Sequence, residues 1–384
     1  MSSIFCFGSS YRRTRRIKSV IFTICLLLGA CSSGSIRPNE FSSPVEPIEG
    51  VLKAFQNYQV VAIGESHNSV QIHKFLLALI QNPNFSDSVN DIVVEFGNSL
   101  YQNLADQYVL GKEVPYESLR QIWQNTTQPN YVWDNPTYEE VFKTVRKINQ
   151  TLSNQNKVRI LLGDPPINWK TVRTRSDFVK WLKSRDEYPV KIIRQEVLEK
   201  KHRALVLYGN MHFWRRNLFN NFELDPSAKD SIVNLLETQQ GVPVFSVYSN
   251  TFVDLDKIQP NCETWDVPSL VLLRGNKLGS EDFSVFYPFP EPRSVVRNGK
   301  SVAVPKEQWA KLPMEEQFDA LLFLGPVSRL TSSAFPSKLC QDSAYLKMRS
   351  NRMTKFSPFG KADAQRLNEM CSHLIDGSKA GLGQ

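Results

Sequence analysis

Seven short apolar runs, each ended by a glycine or a polar residue, constrain the fold more than any other feature of this sequence. They are rich in β-branched and aromatic residues, and amphipathic segments lie between them. Alternation of this kind predicts an α/β fold, in which a largely parallel sheet is covered by helices on both faces. The runs span residues 59–63, 92–96, 158–162, 204–208, 244–248, 270–273 and 320–324.

Apolar residues recur at helical spacing in residues 72–80 and 141–152, and residues 176–201 form a third helical pattern. Residues 100–149 are long for one crossover, so they predict a helical insertion over one edge of the sheet. Residues 286–293 are rich in proline and aromatic side chains and predict a loop or lid.

The length of 384 residues supplies enough material for a large buried core. We expect one α/β domain over residues 46–335, with the helical insertion at about residues 100–150. Residues 336–384 have a weaker pattern and are expected to form a C-terminal extension.

Four of the runs end in residues that can carry acid-base chemistry. One ends in Gly-x-x-His with Glu65 and His67, and another ends in the same motif at His212. The other two place Glu95 and Asp164 at the same level. Because ligands of parallel sheets bind beyond the carboxyl ends of the strands, we expect these side chains to form one site. The glycines permit a tight turn and leave room for a ligand near the backbone.

Two kinds of chemistry fit this set. A carboxylate beside a histidine fixes its tautomer and makes it a general base that activates water. Alternatively, His67 and His212 with a carboxylate bind a divalent metal and leave positions open for water and substrate. The structural alternative is that the histidines satisfy loop backbone and that Glu65 and Glu95 interact with helix dipoles.

Five further residues carry weaker signals. Ser66 lies in a motif one residue short of the Gly-x-Ser-x-Gly nucleophile elbow. His73 is expected to pack or to support the site, and His202 belongs to a solvated basic run. His373 lies in the weakly patterned C-terminal segment, and Trp214 suits either the wall of an aromatic pocket or the core.

Three segments together resemble a known family. They are residues 60–75 (VVAIGESHNSVQIHKF), 91–108 (DIVVEFGNSLYQNLADQY) and 204–212 (ALVLYGNMH). Residues 51–248 resemble the erythromycin esterase (EreA)/ChaN-like superfamily, which also contains the haem-binding uptake and TraB/Tiki proteins. The resemblance implies an α/β fold with its site at Glu65, His67, Glu95 and His212, whereas Asp164 rests on the strand-end pattern alone.

The resemblance leaves several activities open. Erythromycin esterases hydrolyse a lactone with Glu and His, Tiki-type proteins resemble metal-dependent peptidases, and ChaN-like lipoproteins bind haem. The spacing of Glu65 and His67 departs from the esterase pattern, and Asn68 stands where ChaN-like proteins have an acid. We expect a hydrolase-like site that acts on an ester or amide in a small molecule or peptide. The alternative is a lipoprotein that binds haem or a metal chelate without turnover.

The first thirty residues are typical of a bacterial lipoprotein signal peptide. A basic segment precedes an apolar stretch at residues 20–28, which is too short to span a bilayer. Leu-Gly-Ala-Cys at residues 28–31 then resembles a lipobox, which predicts acylation of Cys31 and a membrane anchor. Ser32 favours the outer membrane, and residues 31–45 form a flexible tether. An ordinary cleaved signal peptide is the alternative.

The cysteines fit an oxidising periplasm. Cys6 and Cys25 leave with the signal peptide, so Cys262, Cys340 and Cys371 remain besides the acylated residue. We favour a disulfide between Cys340 and Cys371, because it would staple the C-terminal segment. Without a Cys-x-x-Cys motif, a cysteine zinc site is not expected.

The net charge of +8 does not indicate a nucleic-acid partner. Five of the basic residues lie in residues 12–18, and the rest of the chain carries only +3. A charge this small on a chain of this length gives no electrostatic footprint for nucleic acid. The predicted partners are therefore a substrate or haem and, through Cys31, the membrane.

Overall fold

The computed structural model describes residues 43–216, 231–286, 293–297 and 300–380. Within these residues, seven strands form the central sheet in the order β3-β2-β4-β1-β5-β9-β6, and β7 pairs with β8 in a separate hairpin. The strands are β1 (Val60–Glu65), β2 (Asp91–Asn98), β3 (Arg159–Asp164), β4 (Ala204–Gly209), β5 (Val244–Asn250), β6 (Ser269–Leu272), β7 (Arg293–Arg297), β8 (Lys300–Val304) and β9 (Ala320–Phe323).

The pairing of the central strands confirms the predicted α/β class. Neighbouring strands from β3 to β9 are parallel, and β6 runs antiparallel to β9 at one edge. All seven strands of the sheet coincide with the seven predicted apolar runs to within two residues at each end. The hairpin of β7 and β8 was not predicted.

Helices cover both faces of the sheet. They are α1 (Pro47–Ala54), α2 (Val70–Gln81), α3 (Phe85–Ser88), α4 (Gln102–Val109), α5 (Tyr116–Leu119), α6 (Gln121–Gln124), α7 (Pro136–Asn149), α8 (Arg175–Leu182), α9 (Glu187–Ile192), α10 (Ile232–Gln239), α11 (Lys277–Ser280), α12 (Met314–Gln317), α13 (Ser337–Gln341), α14 (Ser343–Phe356) and α15 (Lys361–Ala380). No described helix is long and apolar enough to cross a membrane.

Alternate residues of each strand enter two separate cores. Val61 and Ile63 of β1 pack in the core formed with α2 and α7, whereas Val60 and Ala62 pack in the core formed with α10. Burial on both faces explains why the strands read as continuous apolar runs rather than as alternating patterns.

The predicted insertion contains helices α4 to α7 and closes one edge of the sheet. In the side chain of Gln102, the first residue of α4, the Nε2 group donates to the Ile160 carbonyl and Oε1 accepts from the Leu162 N–H, each at 2.8 Å. One amide therefore occupies backbone groups of the edge strand β3 that would otherwise be open to another strand.

The predicted helical stretch at residues 176–201 is interrupted. It contains α8, a break at residues 183–186, α9 and a π-helical segment at Ile193–Leu198. Pro189 explains the break, because proline is tolerated in the first turn of a helix and not in its interior.

The C-terminal helices join the same unit as the sheet. A disulfide links Cys340 in α13 to Cys371 in α15, the pair that the sequence favoured, and Cys262 is a buried free thiol. In α14, Arg349 forms a buried bidentate ion pair with Asp134, with both N···O distances at 2.9 Å. The C-terminal segment is therefore tied directly to the insertion.

Candidate functional site

The four predicted strand ends lie side by side. In the sheet order β3-β2-β4-β1, the carboxyl ends carry Asp164, Glu95, the loop with His212, and Glu65 followed by His67. Parallel pairing brings these ends to one edge.

Glu65 and His67 form a hydrogen-bonded pair. The carboxyl group of Glu65 is buried, and its Oε1 lies 2.9 Å from His67 Nδ1. Tyr138 donates a longer hydrogen bond to the same oxygen at 3.4 Å. The imidazole of His67 is one-third exposed and packs edge to face against Trp133, with the ring centroids 4.6 Å apart.

Glu95 joins the neighbouring strand to two cations. Its Oε2 accepts the Gly209 N–H at 2.9 Å, and its Oε1 contacts the guanidinium of Arg185. The same Oε1 lies 3.3 Å from Nε2 of His212, whose Nδ1 contacts Asp186. His212 is therefore placed between two carboxylates.

These contacts raise the pKa of both histidines. Burial lowers the pKa of His212, but the negative charges of Asp186 and Glu95 outweigh it and raise the pKa to about 10. His212 is thus an imidazolium at neutral pH. For His67, burial again lowers the pKa, while its hydrogen bond to Glu65 and the charge of Glu95 raise it above its ordinary value.

The two glutamates are ionised. Burial raises the pKa of Glu65, but its contacts with the two imidazoles of His67 and His73 lower it to about 2. Burial has the same effect on Glu95, whose pKa falls below its usual range because of the charges of His212 and Arg185. Both carboxylates therefore act as acceptors.

Asp164 accepts hydrogen bonds from a loop, whereas Glu65 and Glu95 contact histidines. Its two oxygens accept from Thr127, from the N–H at 2.8 Å and from the hydroxyl at 2.5 Å. Burial raises the pKa of Asp164 to about 7, although Arg185 and the Thr127 hydrogen bonds lower it. Asp164 thus links the end of β3 to the loop before α7.

The glycines at the strand ends make room for protein side chains. A Cβ at Gly64 would lie 2.0 Å from Asn210 Oδ1, and one at Gly163 would lie 2.0 Å from the Tyr208 hydroxyl. A Cβ at Gly209 would lie 3.1 Å from the His67 ring. The sequence interpretation that they leave room for a ligand is therefore wrong for Gly64 and Gly163.

A metal centre formed by His67 and His212 remains a prediction. Both nitrogens of His212 face carboxylates, and Nδ1 of His67 faces Glu65. In the part of the chain that the structure describes, no group of three or more His, Cys, Asp or Glu side chains is arranged to hold a metal ion. The donors therefore do not fit a metal in this conformation.

Several weaker predictions can be compared with the structure. His202 was assigned to a solvated basic run; its side chain is 34% exposed, and its Nδ1 lies 2.8 Å from Oδ2 of the buried Asp91. Trp214 lies in the core, where it packs edge to face on Phe283. His373 is exposed in α15. Cys31 and the signal peptide lie outside the described residues, as do residues 287–292 of the predicted lid.

Sequence reasoning missed Arg185 and Asp186, which contact Glu95 and His212. They fall in the break between α8 and α9, inside a stretch that was predicted to be one helix. Pro189 was the available signal, because a proline near the start of α9 requires a new helix beginning just after these residues. Thr127 and Trp133 had no such signal.

Two described cavities lie outside the cluster of predicted residues. One, of about 420 Å³, is lined by residues of α8 and its flanking loops, including Trp181 and Ser184. Ser184 directly precedes Arg185. The other, of about 580 Å³, lies between α1, α2 and the start of β6, and no predicted site residue lines it.

Comparisons with known proteins identify the fold of the chain but do not identify a family. No family model and no curated protein matches the chain. A succinoglycan biosynthesis protein is 11% identical over 77% of this chain and 96% of its own, with a TM-score of 0.50. A Bacillus cereus protein is 12% identical over 77% of this chain and 97% of its own, with a TM-score of 0.43.

A further match is ChaN of Campylobacter jejuni, whose structure has cofacial haem binding. It is 14% identical over 53% of this chain and 86% of its own, with a TM-score of 0.29. The succinoglycan biosynthesis protein shows that the α/β fold is shared with a solved structure. The Bacillus cereus protein and ChaN have TM-scores below 0.5, so neither supports a conclusion about this chain.

Proposed function

We propose that the protein hydrolyses an ester or amide bond, with His67 as the general base and Glu65 as the carboxylate that orients it. One observation carries the proposal. Nδ1 of His67 is held by the buried Glu65 carboxylate, while Nε2 makes no hydrogen bond with any described residue and the ring is one-third exposed. This arrangement supports a lone pair on Nε2 that faces an incoming water.

The proposed reaction has two steps. Nε2 of His67 takes a proton from water as the water oxygen forms a bond to the carbonyl carbon. The bond from that carbon to the alcohol or amine then breaks, and the His67 imidazolium returns the proton to the leaving oxygen or nitrogen. Glu65 stabilises the intermediate imidazolium through Nδ1–H and remains ionised throughout.

The charge distribution gives His212 a different role from His67. As an imidazolium, His212 cannot accept a proton at neutral pH. We propose that Arg185 supplies the positive charge that stabilises the oxygen of the tetrahedral intermediate, while His212 stays bound between Asp186 and Glu95. Glu95 holds both cations at the end of its strand.

The experiment is a rate measurement on the purified full chain with p-nitrophenyl esters and p-nitroanilides. H67Q and E65Q are expected to lower kcat/KM by about 10²- to 10⁴-fold while each variant remains folded at the assay temperature. H373Q, at an exposed position in α15, is the matched control and should retain full activity. Full activity in H67Q, or no turnover of any substrate by the wild type, would contradict the proposal.

Haem binding is the second candidate, and the same free nitrogen supports it. Nε2 of His67, on a partly exposed ring beside Trp133, is the atom that would hold a haem iron. Titration with haemin would then give a Soret shift in the wild type and H212Q and none in H67Q. Equal spectra for H67Q and the wild type would count against this role.

We further propose that the protein is a lipoprotein of the outer membrane. The lipobox-like sequence that ends at Cys31 supports this location. Labelling of cells with radioactive palmitate is expected to mark the wild type and not C31S. Equal labelling of both proteins would overturn the proposal.

A further inference from the structure

A second histidine lies on the far side of Glu65. His73, in the first turn of α2, is 1% exposed, and its Nε2 is 3.0 Å from Glu65 Oε2. Neither of its ring nitrogens makes an aligned hydrogen bond with a described residue. Its ring packs edge to face against Tyr138, with the centroids 4.7 Å apart.

The position of His73 on its helix would suit an apolar residue. Ile72, Phe75, Leu76 and Leu79 of α2 are all buried in the core. A buried imidazole without an aligned partner costs free energy that a leucine at the same position would not cost. From this position the imidazole contacts Glu65, and a leucine could not make that contact.

The carboxylate of Glu65 has a histidine beside each of its oxygens. Oε1 contacts His67 and Tyr138, whereas Oε2 has His73 as its neighbour. Because the two oxygens are linked by one planar group, a contact on Oε2 restricts rotation of the carboxylate. It therefore also restricts the direction in which Oε1 meets Nδ1 of His67.

We propose that His73 is a positioning residue that fixes Glu65, and through it keeps the Nδ1–H tautomer of His67. The inference rests on the proposed function, in which that tautomer leaves Nε2 free to accept a proton. His73 is buried and does not face solvent. Its effect on turnover is exerted only through the orientation of Glu65.

The test compares H73L with H73Q. Leucine removes the contact with Oε2, while the amide nitrogen of glutamine takes the place of Nε2. In ¹⁵N-detected NMR, the wild type and H73Q should show neutral His67 as the Nδ1–H tautomer, and H73L should show a mixture. For turnover, we expect H73L to lower kcat about 10- to 100-fold with KM unchanged, and H73Q to restore most of it.

The outcomes separate this inference from the proposed function. Full activity in H67Q removes the proposed function, yet the NMR tautomer still reports on His73 because it requires no substrate. An inactive H67Q together with a fully active H73L and an unchanged His67 tautomer would overturn the inference. If H73L does not fold, H73N replaces it, because its shorter amide does not reach Oε2; equal tautomers in H73N and H73Q would overturn the inference.

Discussion

The two histidines at the strand ends differ because of the number of carboxylates around each. His67 has one hydrogen-bonded carboxylate and an exposed edge, whereas His212 lies between Asp186 and Glu95. A second carboxylate adds a second Coulomb attraction that favours the imidazolium. Histidines in identical Gly-x-x-His motifs therefore lie in different electrostatic surroundings.

The raised pKa of His212 predicts a pH dependence of stability. Since its folded-state pKa of about 10 exceeds the unfolded value, the stabilisation is complete below about pH 6.5 and is lost as the pH rises toward 10. Urea unfolding of the wild type and H212Q is the measurement. The difference in unfolding free energy between the two should be largest near pH 6 and shrink by pH 10.

His373 provides the comparison, because it is exposed and no carboxylate is placed on its ring in the described structure. The H373Q protein should follow the wild type at every pH. A constant difference between the wild type and H212Q from pH 6 to pH 10 would show that His212 does not carry the raised pKa.

For single residues, the sequence predicted the carboxylates and histidines of the site but not the loop residues that contact them. Glu65, His67, Glu95, Asp164 and His212 follow strands, and the end of a buried strand is visible as the end of an apolar run. The partners come from loops whose path depends on tertiary contacts. The roles of the predicted residues in chemistry stay predictions.

Among the elements, α14 fixes the loop that frames His67. Its Arg349 pairs with Asp134, which is adjacent to Trp133, and Arg352 donates to the Gln124 carbonyl at 2.9 Å. Trp133 in turn packs on His67. A helix near the end of the chain thereby holds the wall of the site in place.

Removing Arg349 is expected to be strongly destabilising. R349M leaves Asp134 buried without its cation, which costs about 3 to 5 kcal/mol of unfolding free energy. Guanidinium unfolding is the measurement, and R366A is the control because the Arg366 side chain is 65% exposed. That control should change stability by less than about 0.5 kcal/mol.

The double variant D134N/R349M tests the cause. If the penalty comes from the unpaired charge, the double variant should lose less stability than the sum of the single variants. Strict additivity, or an R349M protein as stable as R366A, would show that the pair does not anchor α14.

The sequence predicted strands and helices where the pattern of neighbouring residues alone determines the secondary structure. Runs buried on both faces identified the strands, and helical spacing identified α2 and α7, although α7 ends at Asn149 rather than at residue 152. The ion pair of Asp134 with Arg349 joins residues 215 positions apart, and no local pattern reports such a contact. The hairpin of β7 and β8 was missed because its short strands follow the proline-rich stretch.

For the whole molecule, the disulfide between Cys340 and Cys371 is the covalent constraint. It closes a loop with a sequence separation of 31 residues. The chain-entropy model gives a stabilisation of about 3 to 4 kcal/mol for a loop of this size. The variant C340S/C371S should therefore have a lower unfolding free energy by roughly this amount in denaturant titrations.

Reduction provides the control for the serine substitutions. Dithiothreitol should lower the unfolding midpoint of the wild type and leave that of C340S/C371S unchanged, because the remaining described thiol, Cys262, is not cross-linked. Equal midpoints for the wild type with and without dithiothreitol would mean that the bond contributes nothing measurable.

The contact between Arg349 and Asp134 also has a consequence for biosynthesis. A ribosome makes Glu65, His67, Glu95 and His212 long before it reaches α14, so a nascent chain holds every proposed catalytic group while the loop around Trp133 lacks its anchor. Chemistry at the site would then begin only after α14 has been made and has docked on the loop around Trp133.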